Sequence, residues 1–121
     1  MMNKHAFLFA AVVANALVAS VAQAHAKLES SEPKADGTVQ GTPAAIRLHF
    51  NEALEPAFST IDLSAANAAP IALPKAAVDK ADPKLLAVQL PALKPGQYHV
   101  RWSTMTHDGH KAKGDYRFRV K

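Results

Sequence analysis

Between residues 106 and 111 the chain reads Thr-His-Asp-Gly-His-Lys, so two imidazoles and a carboxylate fall within four consecutive positions, His107, Asp108 and His110. Asp108 and His110, two apart, project to the same side if the backbone between them is extended. A further donor set stands at the other end of the sequence. The small-x-small segment Ala22-Gln23-Ala24 precedes His25. A chain cut after Ala24 begins with a histidine whose α-amine and imidazole Nδ1 can close a six-membered chelate on one ion. The α-amine, with a reference pKa of about 7.7 to 8.0, deprotonates far more readily than a lysine. Three nitrogens and a carboxylate oxygen in a tetragonal arrangement suit Cu(II), which also heads the affinity order of divalent first-row ions. Zinc accepts the same ligands, so geometry decides between them. Alone, the Asp-Gly pair also reads as a turn that uses its backbone freedom and carries histidines incidentally.

What the sequence lacks narrows the chemistry further. With no cysteine among 121 residues, disulfides, thiolate zinc sites, iron-sulfur clusters, thiol nucleophiles and blue-copper centres are all excluded. Cu(I) prefers soft sulfur, and after residue 24 the chain offers only Met105. That residue reads as a packing side chain near the end of its strand, with a weak distant ligand as its other role. His49 and His99 fall on the polar faces of strands and are expected to meet solvent. The net charge of +4 comes from scattered Lys and Arg residues with no basic run, which excludes a nucleic-acid footprint.

The elements that must carry these residues are strands. Ile46, Leu48 and Phe50 alternate with Arg47, His49 and Asn51, the period of a strand with one wet face. The same alternation spans 86–90, 98–103 and 116–120, with weaker candidates at 27–31, 59–64 and 71–73. Turn residues separate them, and Pro70 and Pro74 break the alanine-rich stretch 65–77 that could otherwise pass for a helix. Six or seven short strands at this spacing predict a β-sandwich. Ahead of it, Lys4, the apolar stretch 6–19 and the Ala22-Gln23-Ala24 signal stand in the order of a secretory signal peptide. Residues 1–24 are therefore expected to be removed and 25–121 to form one domain with no remaining membrane anchor. Ala24-His25-Ala26 also satisfies small-x-small, which leaves a cut after Ala26 open.

Several stretches together resemble the CopC/PcoC family of periplasmic copper-binding proteins. They are His25-Ala-Lys-Leu, Ser31-Glu-Pro33, 46–52 (Ile-Arg-Leu-His-Phe-Asn-Glu), Pro95-Gly-Gln-Tyr98, Val100-Arg-Trp102, Asp108-Gly-His110 and Gly114-Asp-Tyr-Arg-Phe118. The resemblance implies an all-β, seven-stranded Greek-key sandwich of cupredoxin-like, Ig-like topology. It also implies one Cu(II) per chain held by the amine and imidazole of His25 with Asp108 and His110. Glu52 would orient a ligand from behind, and His107 would stand by as an accessory imidazole. Segment 65–74 takes the place of the methionine-rich Cu(I) loop of two-site members, yet it contains no methionine. The implied function is a monomeric, non-catalytic periplasmic protein that buffers or carries copper, with an inner-membrane transporter of the CopD type as partner. A metal-free sandwich that binds other proteins through its edge strands, as an adhesion or chaperone-type module, is the rival reading.

Overall fold

The computed structural model describes residues 26–121, so the expected signal segment 1–24 and His25 lie outside the described residues. Nine strands run in order: β1 (Leu28–Glu32), β2 (Thr38–Val39), β3 (Ala45–Phe50), β4 (Thr60–Ala65), β5 (Pro70–Ile71), β6 (Ala77–Val78), β7 (Leu85–Gln89), β8 (Gly96–Met105) and β9 (Lys111–Val120). A 3-10 turn, Pro56–Phe58, stands between β3 and β4. Two sheets form, one in the order β1-β3-β7-β6 and the other β2-β9-β8-β4-β5. All pairings are antiparallel except β2 with β9. The all-β sandwich expected from the alternation is what forms, with nine strands in place of seven. The extra two, β2 and β6, are two residues long, too short to show a period.

The alternation builds the core as a strand period requires. Ile46, Leu48 and Phe50 from β3, Leu86 and Val88 from β7, Ile61 and Leu63 from β4, Tyr98 and Val100 from β8, and Tyr116, Phe118 and Val120 from β9 meet between the sheets. Phe50, Phe118, Ile46, Leu48, Leu54 and Leu86 are the bulkiest apolar side chains fully withdrawn from water. Each such burial contributes roughly 1.5–3 kcal/mol. Phe50 meets Trp102 edge-on, with ring centroids 5.0 Å apart, which ties the two sheets together at the end where β3 terminates.

The longest regular unit is the β8–β9 hairpin, paired in register from Gly96↔Val120 to Met105↔Lys111. Opposite Trp102 stands Gly114. A Cβ built there would lie 2.8 Å from the indole Cε2, so the glycine makes room for the ring that closes this end of the core.

Candidate metal centre

The β8–β9 hairpin is closed by Thr106–His110, the segment whose residue types first suggested metal chemistry. The Thr106 N–H donates to the His110 carbonyl (3.0 Å) and the Gly109 N–H to the Thr106 carbonyl (2.9 Å). Gly109 takes a positive φ of 91°, a conformation that favours glycine and turns the chain between the two candidate ligands. As a result Asp108 Oδ1 lies 3.1 Å from His110 Nδ1, on side chains that are both well exposed. The hydroxyl of Thr106 donates to Asp108 Oδ1 and accepts the His110 backbone N–H at 3.3 Å. These contacts, the Thr106 hydroxyl first and the His110 ring second, hold the Asp108 carboxyl below its ordinary value. The turn therefore presents an anionic oxygen beside an imidazole nitrogen.

The chain enters the fold at the same end of the sandwich. Ala26 is only 4% exposed and belongs to the core. The Lys27 N–H donates to Asn51 Oδ1 at 2.7 Å, and the Asn51 N–H donates back to the Lys27 carbonyl at 3.1 Å. Three residues beyond Asn51, buried Leu54 forms an isolated bridge with Thr106. The Glu55 N–H then donates to the Met105 carbonyl at 2.7 Å, and the Ser59 hydroxyl donates to the Glu55 carbonyl at 3.0 Å. Segment 51–59 thus straps the beginning of the described chain to the end of β8.

The other expected site residues fall around this strap. Glu52 is half-buried in the bend after β3. His107 turns to Glu55, its Nδ1 3.2 Å from Oε2, a partner 52 positions away that spacing could not reveal. Met105 is half-buried as the last residue of β8, in keeping with a packing role. His25 lies outside the described residues. Among the described residues no group of three or more His, Cys, Asp or Glu side chains is arranged to hold a metal ion. Asp108 and His110 are by themselves two donors.

The expectation that His49 and His99 face solvent requires correction for His99, whose side chain is only 19% exposed. Its Nε2 lies 2.6 Å from Asp115 Oδ2 and its Nδ1 3.2 Å from Arg101 Nη1. Asp115 stands opposite Arg101, and Arg117 opposite His99, in the β8–β9 register, so the outer face of this sheet collects partners that withdraw the ring from water. His49 is half-exposed, with Nε2 3.9 Å from Glu32 Oε1. Sequence reasoning missed Thr106 and Glu55 as parts of the site. Thr106 could have been suspected from its place directly before the His-Asp-Gly-His turn.

Fold and turn together define a class, the small two-sheet β-sandwich that carries a histidine–carboxylate turn beside its incoming N-terminal segment. The CopC domain model matches residues 28–121, and the chain belongs to the CopC family. Copper resistance protein C of Pseudomonas syringae pv. tomato is 38% identical over 130 residues, covering 100% of this chain and 99% of that protein. Protein YobA of Escherichia coli strain K12 is 38% identical over 112 residues, 92% of this chain and 90% of that protein. Among solved structures, PcoC of Escherichia coli, described as a methionine-rich copper resistance protein, superposes with a TM-score of 0.72 at 36% identity, covering 81% of this chain and 100% of that one. CopC from Methylosinus trichosporium OB3b gives 0.76 at 29% identity, covering 80% and 94%.

Proposed function

We propose that this protein is a periplasmic carrier of one Cu(II) ion, released by removal of residues 1–24 and holding its cargo through the α-amine and imidazole of His25 together with Asp108 and His110. The observation that carries this reading is the 3.1 Å separation of Asp108 Oδ1 and His110 Nδ1. Metal–ligand bonds of about 2.0–2.2 Å at right angles place neighbouring donors roughly 3 Å apart, so the turn already spaces two donors for one ion. The burial of Ala26 and the pinning of Lys27 by Asn51 fix the point from which one further residue must supply the rest. The names of the Pseudomonas and Escherichia coli relatives support copper as the cargo.

Hard nitrogen and oxygen donors favour the divalent ion. Segment 65–74 contains no methionine, in contrast to the methionine-rich description of PcoC, so the chain handles Cu(II) rather than Cu(I). Delivery to, or collection from, an inner-membrane transporter of the CopD type completes the role. The protein carries out no turnover, acts as a monomer, and uses Glu52 to orient a ligand through its free N–H.

The test is intact mass and electron paramagnetic resonance of the exported protein with one equivalent of Cu(II). Expected are a mass starting at His25, a single bound copper and a type 2 spectrum. A protein with one extra residue before His25 is expected to bind orders of magnitude more weakly, because the amine no longer chelates with the imidazole. Equal affinity and the same spectrum in both forms would remove the amine from the site and leave a side-chain site at His107, Asp108 and His110. Absence of copper binding altogether would return the protein to a metal-free interaction module.

A further inference from the structure

We infer that Thr106 is a positioning residue of the metal centre, one whose hydroxyl sets the Asp108 carboxylate and the His110 backbone in their ligating arrangement before the ion arrives; the inference rests on the reading of Asp108 and His110 as Cu(II) ligands. Thr106 is 2% exposed, locked from one side by the bridge to buried Leu54. As a β-branched residue it also has few χ1 rotamers available. Its one hydroxyl proton goes to Asp108 Oδ1, the nearer of two acceptors, the His110 carbonyl lying at 3.4 Å, while an oxygen lone pair accepts the His110 N–H. One rigid side chain thus ties together a side-chain atom of the first ligand and the main chain of the second, with Gly109 supplying the turn between them.

The energetic consequence follows from preorganisation. A carboxylate on an exposed turn samples several rotamers, and binding an ion freezes it into one. Thr106 holds that rotamer in the free protein, so less freedom is lost when the ion binds. A hydrogen bond from the hydroxyl also steadies a ligating carboxylate once bound, as outer partners of metal ligands do. Serine retains the hydroxyl and valine retains the shape, which separates the two contributions of the side chain.

The experiment is a double-mutant cycle in the mature protein, with Cu(II) affinity measured by competition against a chelator and the thermal melt of the metal-free protein measured alongside. Thr106→Val is expected to weaken Cu(II) binding by about 10- to 100-fold, the usual worth of an outer partner, while Thr106→Ser stays close to the parent. In an Asp108→Ala background, where only the contact to the His110 backbone is left to lose, Thr106→Val is expected to cost clearly less affinity than in the parent even though it still shifts the melt. A Thr106→Val protein of unchanged affinity, or one whose loss is the same with and without Asp108, overturns the positioning role. If Asp108→Ala itself leaves Cu(II) binding intact, the ligand assignment fails and the inference falls with it. If Asp108→Ala weakens binding and Thr106→Val does not, only the inference falls.

Discussion

Two histidine–aspartate pairs sit on the same hairpin and differ in exposure and in the described partners that hold them. His99 and Asp115 meet at 2.6 Å across β8 and β9, with Arg101 on the remaining ring nitrogen. Both nitrogens of that imidazole are engaged, and the neighbouring cation opposes a second one. His110 and Asp108 meet at 3.1 Å on an exposed turn, and the carboxylate is held chiefly by a threonine hydroxyl, a partner without charge. On the proposed assignment, a histidine beside a carboxylate takes a metal ion only where its surroundings allow. What distinguishes the turn is exposure, the absence of an arginine among its described contacts and its position beside the entry of the chain.

The sharpest way to break this comparison is to remove each histidine in turn. His110→Ala is expected to weaken Cu(II) binding by more than the roughly 100-fold that an outer partner can account for. His99→Ala is expected to leave affinity within a few-fold of the parent. Chelator competition measures both, and equal losses would mean that the ion does not distinguish the two pairs. A smaller effect concerns the sheet alone: Gly114→Ala forces a methyl against the Trp102 ring and is expected to cost about 1–3 kcal/mol of stability as overpacking. Denaturant unfolding reads that loss, and the stoichiometry of copper should not change.

Acid sets the third test. The His99 hydrogen bond, with weaker help from the charges of His99, Arg117 and Arg101, keeps the Asp115 carboxyl below its ordinary value. A group whose pKa is depressed in the fold stabilises it above the unfolded value and loses that contribution as pH falls through the folded one. The melting-temperature difference between parent and Asp115→Asn should therefore be full near pH 6 and shrink as pH falls below the ordinary carboxylate range. A gap independent of pH would mean that the ionised carboxylate contributes nothing there. Least affected of all is Glu55→Gln, since the exposed His107–Glu55 pair should be worth under about 1 kcal/mol; unfolding of the two proteins in parallel checks it.

The sandwich was legible in the sequence wherever a strand was long enough for large and polar residues to alternate. It was illegible at β2 and β6, where two residues carry no period, and over the first half of β9. There the inward positions are Ala112 and Gly114, the glycine kept small by Trp102 across the hairpin, so Lys111, Lys113 and Asp115 alternate with nothing bulky and the expected strand 116–120 begins five residues late. Asp108 and His110 were legible because chemistry and spacing coincide. Thr106 was not, since its importance lies in burial and in the direction of one hydroxyl. Glu55 meets His107 through a strap that only the folded chain creates, and His99 reads as solvent-facing by parity alone, because parity says nothing of the arginine and aspartate that flank it.

The β8–β9 hairpin also sets a clock. Its strands are joined by five residues, so pairing them costs little loop-closure entropy, whereas the contact that seats the incoming chain joins Lys27 to Asn51 across 24 positions. Local pairings form ahead of distant ones. Under the proposed ligand assignment, Asp108 and His110 are then brought together early, and the residues that follow the processed terminus are seated only when β1 docks on β3. On that same assignment a half-folded chain would hold Cu(II) weakly through the turn alone, and tight capture would wait until the sandwich had closed.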